Sequence, residues 1–275
     1  MALEDGTFTF APQSSNVISY STDNGTTWTE GNSVSVNSGD KVLWKGTMTP
    51  ATYQGIGTFS STAEFNAQGN AMSLLFGVNF KGQTSLTGKD RAFLGLFHNA
   101  KIVNAENLSL PATTLANSCY SSMFRGCTSL TTTPELPATT LAINCYYGMF
   151  RDCTSLTTAP ELPATILESS CYSYTFQGCT GLVNAPELPA TTLTSQCYQY
   201  MFNGCMNLNY IKAMFTTTPG TDYTSNWLKE VAETGTFVKN MSATWNVTGA
   251  NGIPSGWTVE LDSFGGDDNG EIDSQ

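Results

Sequence analysis

The chain has 275 residues, of which 12% are charged, and its formal net charge at pH 7 is −11. This length supports one large domain or two medium domains. The negative charge argues against nucleic-acid partners, which require clustered Lys and Arg, and against docking on anionic lipid.

The sequence contains no signal for membrane insertion. No apolar run reaches the ~18 residues that a membrane-spanning helix needs. The first residues, MALEDGTFTF, lack the basic and apolar regions of a signal peptide. We therefore expect no membrane insertion. Either the protein is not secreted by that route or this chain begins after a removed leader, and the missing leader favours a virion component, which is assembled in the cytosol, over a bacterial surface protein.

Residues 1–92 have the pattern of a small β module. ISYSTDNGTTWTEG has Asn24-Gly25 between two alternating runs, which predicts a two-residue hairpin. NSVSVNSGDKVLWKG predicts a second hairpin that turns at 38–40. Together with TFTFA, GIGTF and AMSLLFG, these segments predict six to eight short strands in an N-terminal β-sandwich.

The string STDNGTTW in this module resembles the Asp-box of sialidases and other propeller proteins. The positions that match S-x-D-x-G-x-T-W are Ser21, Asp23, Gly25, Thr27 and Trp28. The resemblance implies a folding element in which the Asp braces a hairpin and the Trp packs beneath it. A propeller would have several boxes at regular spacing, and this chain has one, so we interpret the motif as structural.

A period of 26 residues dominates residues 93–215. CYSSMFRGCTSL returns as CYYGMFRDCTSL, CYSYTFQGCTGL and CYQYMFNGCMNL. A degenerate earlier unit is FLGLFHNAKIV, where Phe97 falls on the phenylalanine position and Ala100 replaces a cysteine. This period with Leu, Phe and Cys in register predicts a leucine-rich-repeat solenoid, so the expected fold class is mainly β with short helices.

All eight cysteines lie in these four strings, as Cys119, Cys127, Cys145, Cys153, Cys171, Cys179, Cys197 and Cys205. Cys119, Met123 and Cys127 are four residues apart, which places them on one face of a short helical or 3₁₀ segment. We interpret the cysteines as reduced residues of the core, with disulfides between units as the alternative. Their spacing disfavours zinc, and we expect no metal and no cofactor.

The pattern MFRGCTSLTTTPELPATTL resembles the Treponema-type, or BspA-like, leucine-rich repeats. Phe124, Cys127, Leu130, Leu136 and Pro137 lie on the motif positions, and the TPE before Leu-Pro is a departure. The resemblance covers about residues 93–215. It implies a right-handed solenoid used for adhesion and recognition, on bacterial surfaces and in phages that infect gut anaerobes. It implies no chemistry and no particular binding residues.

Residues 216–262 are predicted to form a C-terminal cap, which the open end of a solenoid requires. TSNWLKEVAETG predicts a short helix that ends at Gly235, and GTFVKN, ATWNV and GWTVEL predict strands. Residues 263–275 are acidic and rich in glycine, which predicts a mobile tail.

Two rows of side chains are the candidate binding residues. The first row is acidic, with Glu135, Glu161 and Glu187 one unit apart. We interpret it as a hydrated strip, with a weak cation site or a surface for a basic partner as the alternative. The second set is Tyr147, Tyr174 and Tyr200, which lie outside the regular column of semi-buried tyrosines that follows each first cysteine. Exposed tyrosine offers a large contact area at a low entropy cost.

The sequence contains no convergent acid, base and nucleophile, and we expect its one histidine, His98, at the surface. We therefore expect a non-enzymatic recognition or adhesion protein that presents its repeats to a surface glycan or a protein. The expected setting is a phage virion, as a fibre, tail or decoration component. A bacterial cell-surface adhesin and a purely structural virion protein are the alternatives. Other virion proteins and self-association are the further candidate partners.

Overall fold

The computed structural model describes residues 1–13, 16–51 and 53–262. These residues form strands, turns and one four-residue α-helix, so the mainly β prediction is confirmed at that level. Within these ranges, no helix is long and apolar enough to cross a membrane. The predicted mobile tail, 263–275, lies outside the described residues.

The N-terminal part forms two three-stranded antiparallel sheets. The strands are β1 (Gly6–Pro12), β2 (Ile18–Ser21), β3 (Thr29–Glu30), β4 (Ser33–Val36), β5 (Leu43–Gly46) and β6 (Gly57–Ser61). One sheet has the order β4-β1-β6 and the other the order β3-β2-β5. Trp44 of β5 lies against Phe59 of β6, with 5.4 Å between ring centroids, so the two sheets share apolar contacts.

The second predicted hairpin is wrong. The turn at its centre exists, because Asn37 O accepts the Asp40 N–H at 3.0 Å and Gly39 has a φ of 90°. The strands on either side separate, however, since β4 pairs with β1 and β5 pairs with β2. Alternation identifies a strand but does not select its partner.

The predicted strand AMSLLFG is also wrong, because Ser73–Phe76 form the helix α1 and Gly77–Asn79 form a 3₁₀ turn. Leu74 and Leu75 are buried in that helix. A short continuous apolar run is typical of both a buried strand and a buried helix, so periodicity does not separate them.

The Asp-box string lies in the predicted hairpin, because β2 pairs with β3 and both Asn24 and Gly25 have positive φ, but the connection is a seven-residue loop, 22–28, and not a two-residue turn. The Asp23 carboxylate accepts the Thr27 N–H at 2.9 Å, the Thr27 hydroxyl at 2.6 Å and the Ser21 hydroxyl at 2.7 Å. These donors stabilise the ionised carboxylate, Thr27 most of all, and lower the pKa of Asp23 to about 2. The loop is therefore braced by one charged side chain.

Parallel pairing begins at residue 65. β7 (Phe65–Asn66) pairs with β9 (Ile102–Asn104), and β8 (Gly69–Asn70) pairs with β10 (Leu108–Ser109). Phe59 of β6 stacks on Phe97 at 5.5 Å, and a single hydrophobic cluster runs from Ala2 to Trp257. The apolar core is therefore continuous across residue 92.

The segments that contain the cysteines are runs of turns and not the predicted helical segments. These turn segments are 91–100, 118–127, 144–153, 170–179 and 196–205. Met123 N–H bonds to the carbonyl of Tyr120, three residues earlier, whereas Phe124 N–H donates to Met149 of the next segment at 2.8 Å. This alternation continues through each segment, and an α-helix cannot form because every second N–H is used between segments.

The turns repeat every four residues, with a left-handed residue in each. In one segment these residues are Ser118 (φ 55°), Ser122 (φ 54°) and Gly126 (φ 74°). A four-residue period keeps Cys119, Met123 and Cys127 on one side, and all three are buried. The three side chains therefore share a face as predicted, but because of successive four-residue turns and not because of a helix.

Stacking of the segments aligns two aromatic columns inside the core. The first column has ring centroids 5.4–5.6 Å apart and consists of Phe97, Phe124, Phe150, Phe176 and Phe202. The second has centroids 5.7–6.1 Å apart and consists of Tyr120, Tyr146, Tyr172 and Tyr198. These tyrosines are at most 1% exposed, so they are fully buried and not semi-buried as predicted.

The C-terminal part continues the turn pattern where the sequence predicts a helix. Phe202 N–H donates to Trp227 O at 2.9 Å, and Asn226 and Glu230 are left-handed. The strands β11 (Tyr210–Ala213), β12 (Thr236–Asn240) and β13 (Thr258–Asp262) form a parallel sheet in that order. ATWNV is not a strand; its Trp245 instead stacks on Phe215 at 5.2 Å.

All eight cysteines are buried and none is bridged. In four of them the thiol donates to a backbone carbonyl at 3.0–3.1 Å, and these are Cys127, Cys153, Cys179 and Cys205. Burial raises the pKa of Cys119 and of Cys127 to about 12. Among the described residues, no group of His, Cys, Asp and Glu has the arrangement of a metal site.

We predict that the thiols of the native protein do not react with iodoacetamide at about pH 8, because burial keeps them protonated and inaccessible. In denaturant without reductant, all eight cysteines should be alkylated, and mass spectrometry measures the number of adducts. Fewer than eight adducts under those conditions would reveal disulfides and contradict the packing role.

We predict that Asp23→Asn destabilises the protein at neutral pH but not near pH 2. A carboxyl group whose folded pKa is depressed stabilises the fold above its unfolded pKa of 3.8, and this contribution is lost as pH falls through about 2. Thermal melts of both proteins across this range test the prediction. A difference in melting temperature that does not change with pH would show that the charge is unimportant.

Candidate binding surface on the turn segments

One recurring backbone position distinguishes two of the candidate binding residues, Tyr174 and Tyr200, from their equivalents in other segments. It is the left-handed residue in the middle of each turn segment, with φ between 51° and 62°, and its occupants are Gly95, Ser122, Gly148, Tyr174, Tyr200 and Asn226. Glycine adopts this conformation without cost, and asparagine does so readily. For a bulky side chain the same conformation is an outlier that costs about 1–2 kcal/mol. The two tyrosines are therefore held in a conformation that their side chains disfavour.

Tyr147, Tyr174 and Tyr200 form a continuous row, which we call the tyrosine row. Tyr174 and Tyr200 stack with centroids 4.9 Å apart and an interplanar angle of 10°. Tyr147 is tilted against Tyr174 at 5.2 Å. All three side chains are half-buried. The sequence predicts these residues as exposed candidates but does not predict that they touch.

Polar side chains lie beside the tyrosine row. The Arg151 guanidinium is 5.6 Å from the Tyr174 ring centroid, and its Nε is 3.4 Å from the Asp152 carboxylate. Gln177 Nε2 donates to Asn203 Oδ1 at 2.9 Å, whereas Gln177 Oε1 is buried without a hydrogen-bond partner among the described residues. Arg151 thus contacts the tyrosine row, and the amide pair follows Tyr174 and Tyr200 by three residues on the same two segments.

The ends of the tyrosine row differ. At one end, Tyr200 accepts a hydrogen bond from Asn226 Nδ2 at 3.1 Å. At the other end, the segment before Tyr147 has the small residues Ser121 and Ser122. Partial burial, with a smaller effect of Tyr147, raises the pKa of Tyr174, so the phenol is neutral at physiological pH. The row therefore offers neutral aromatic contacts and hydroxyl groups.

His98 lies on the same side-chain position as Arg125 in the next segment. It is exposed, as the sequence predicts. Partial burial, followed by the charge of Arg125, lowers its pKa. The imidazole is therefore mostly neutral at pH 7.

The acidic row does not form a cluster. Glu135, Glu161 and Glu187 are all exposed. Glu187 lies 3.4 Å from Lys212 Nζ, which is also 3.3 Å from Asp262, so one member is already neutralised by a lysine. Glu161 and Glu187 border a shallow depression lined by prolines. Within the described part of the chain, no group of three or more His, Cys, Asp or Glu is arranged to hold a metal ion.

The signal that sequence reasoning missed is the left-handed position itself. Its occupants in other segments are glycine, serine or asparagine, which is the composition expected where φ is positive. Tyrosine at 174 and 200 departs from that composition. Comparisons of the chain with protein-family models, with curated proteins and with solved structures give no match.

We predict that Tyr174→Gly changes the free energy of unfolding by less than about 1 kcal/mol. Relief of the left-handed strain offsets the lost ring contacts, which are worth about 0.5–1.5 kcal/mol. Tyr172→Ala, in the buried column of the same segment, should cost about 3–5 kcal/mol. Chemical denaturation of both variants measures this contrast, and equal losses would assign Tyr174 a structural role.

Proposed function

We propose that the chain is a non-enzymatic recognition protein whose tyrosine row binds a surface glycan or a protein. The observation that carries this proposal is the row of contacting, half-buried tyrosines, two of which occupy a left-handed position that holds glycine, serine or asparagine in the other segments. Strain retained at a surface position, where glycine would relieve it, is characteristic of functional sites. Because the ring contacts only offset this strain, stability alone does not account for the two tyrosines.

We further propose that the stacked segments are a BspA-like leucine-rich-repeat solenoid, mounted on an N-terminal β-sandwich and closed by a C-terminal cap. The regular N–H bonds between segments and the two aromatic columns support the solenoid. The contact between Trp44 and Phe59 of the two sheets supports the sandwich. In such a scaffold, each ring of the row is fixed before a ligand arrives.

Preorganisation explains why a short row of tyrosines suffices as a binding surface. A side chain that is already ordered loses little conformational entropy on binding. Tyrosine has an apolar face and edge for contact and a hydroxyl group for hydrogen bonding, and Arg151, Gln177 and Asn203 add polar groups beside it. Sugars and polar protein surfaces present the complementary combination of C–H and hydroxyl or amide groups.

The resemblance to BspA-like repeats supports a place of action on a phage particle or on a bacterial surface. Mass spectrometry of purified particles and of washed cells distinguishes these two settings. A purely structural virion protein would co-purify with particles and would not bind cells, whereas a recognition protein binds cells directly.

We predict that the double variant Tyr174→Gly/Tyr200→Gly binds its ligand with an affinity lower by about tenfold or more, because two ordered aromatic contacts are removed together. Glycan arrays and binding to whole gut anaerobes provide the measurement. Ser122→Gly is the matched control, since it changes the same backbone position outside the tyrosine row and should bind like the native chain. Native-like binding by the double variant would overturn the assignment of the site.

A further inference from the structure

A second concave site lies in the N-terminal part of the molecule. A pocket of about 340 Å³ lies between β5, β6, α1 and the segment 65–71. This volume is in the range of pockets that hold small organic molecules. No residue of the tyrosine row lines it, so any ligand of this pocket is independent of the proposed recognition surface.

The walls of the pocket are apolar and held in place by ring contacts. Trp44 lies against Phe59 at 5.4 Å, and Phe8 lies against Phe65 at 5.2 Å. Leu74 of α1 also lines the pocket. Because these side chains pack on one another, the pocket is already formed without a ligand.

The charge of the lining is opposite to that of the chain. Lys41 and Lys45 are the only ionisable side chains among the described lining residues, although the chain has 22 acidic and 11 basic residues. Within the described residues neither lysine forms an ion pair. The Lys45 ammonium lies 3.8 Å from the ring centroid of Trp28, which also lines the pocket.

This combination restricts the ligand. An apolar cavity alone would admit any small hydrophobic molecule. Among the described lining residues the cationic groups are the two lysines and the Met1 ammonium, and none of these residues is a carboxylate, so the lining favours a ligand that carries a negative charge. The ligand class is therefore a molecule with an apolar body and an anionic end.

We propose that this pocket binds a small apolar carboxylate, such as an aliphatic or aromatic acid, whose hydrocarbon body lies between Trp44, Phe59 and Leu74 and whose carboxylate lies near Lys41 and Lys45. The bound acid would bury apolar area against the rings, while the lysines neutralise its charge.

Isothermal titration calorimetry of the full chain with decanoate and with 1-decanol tests the proposal. Decanoate should bind saturably and more tightly than decanol. The variant Lys41→Gln/Lys45→Gln should weaken decanoate binding by about tenfold and leave decanol within about twofold of its original affinity. The control Arg125→Gln/Lys229→Gln removes the same charge from the turn segments and should change neither affinity.

A further pair of variants keeps the test independent of folding. Lys45→Arg keeps the charge and should retain decanoate binding, whereas Val78→Trp, at an exposed position of the lining, should block both probes. Near-ultraviolet circular dichroism checks that each variant is folded. Decanol binding as tight as that of decanoate, unchanged decanoate affinity without the lysines, or no binding of either probe would overturn the proposal.

Discussion

The molecule depends on a division of backbone hydrogen bonds between neighbouring turn segments. In each segment, one N–H closes a turn to the residue three places earlier, and the following N–H donates to the next segment. Both kinds of bond satisfy buried backbone groups, so neither segment is complete without its neighbour. This lattice brings every side chain directly over its equivalent one unit away, which is why the phenylalanine and tyrosine columns are continuous.

The same lattice accommodates two costs that an isolated segment could not. Inside, the hydroxyl groups of Tyr120, Tyr146, Tyr172 and Tyr198 are buried without partners among the described residues, and an unpaired hydroxyl costs about 1–3 kcal/mol. Outside, Tyr174 and Tyr200 have left-handed backbone. Ring stacking offsets the internal cost. Outside, the ring contacts of Tyr174 and Tyr200 only offset the backbone strain, so these two tyrosines add little net stability, in contrast to the buried column.

The sequence predicts which side chains stack in columns, but it does not predict the backbone conformation that produces the columns. The period of 26 places Phe124 over Phe150 and Cys127 over Cys153 whatever the local conformation. Over eight residues, however, periods of 3.6 and 4 bring Cys119, Met123 and Cys127 to the same face, so side-chain pattern cannot distinguish a helix from successive turns. The sequence also does not predict strand partners: β4 and β5 are expected to pair with each other, but they pair with β1 and β2. The contact between Tyr147 and Tyr174 joins residues 27 apart, one more than the period, so the sequence pattern does not predict it and only the structure shows it.

The phenylalanine column also connects the N-terminal pocket to the turn segments. Phe59 and Phe97 line the N-terminal pocket, and Phe97 stacks on Phe124 as the first step of the column through the turn segments. The floor of the pocket is thus the end of the stack, and its rigidity comes from residues far along the chain. A ligand there would meet a surface that does not need to reorganise, which reduces the entropy cost of binding. For the same reason the pocket should form only when the segments beneath it are folded, so its existence is a property of the continuous core and not of residues 1–92 alone.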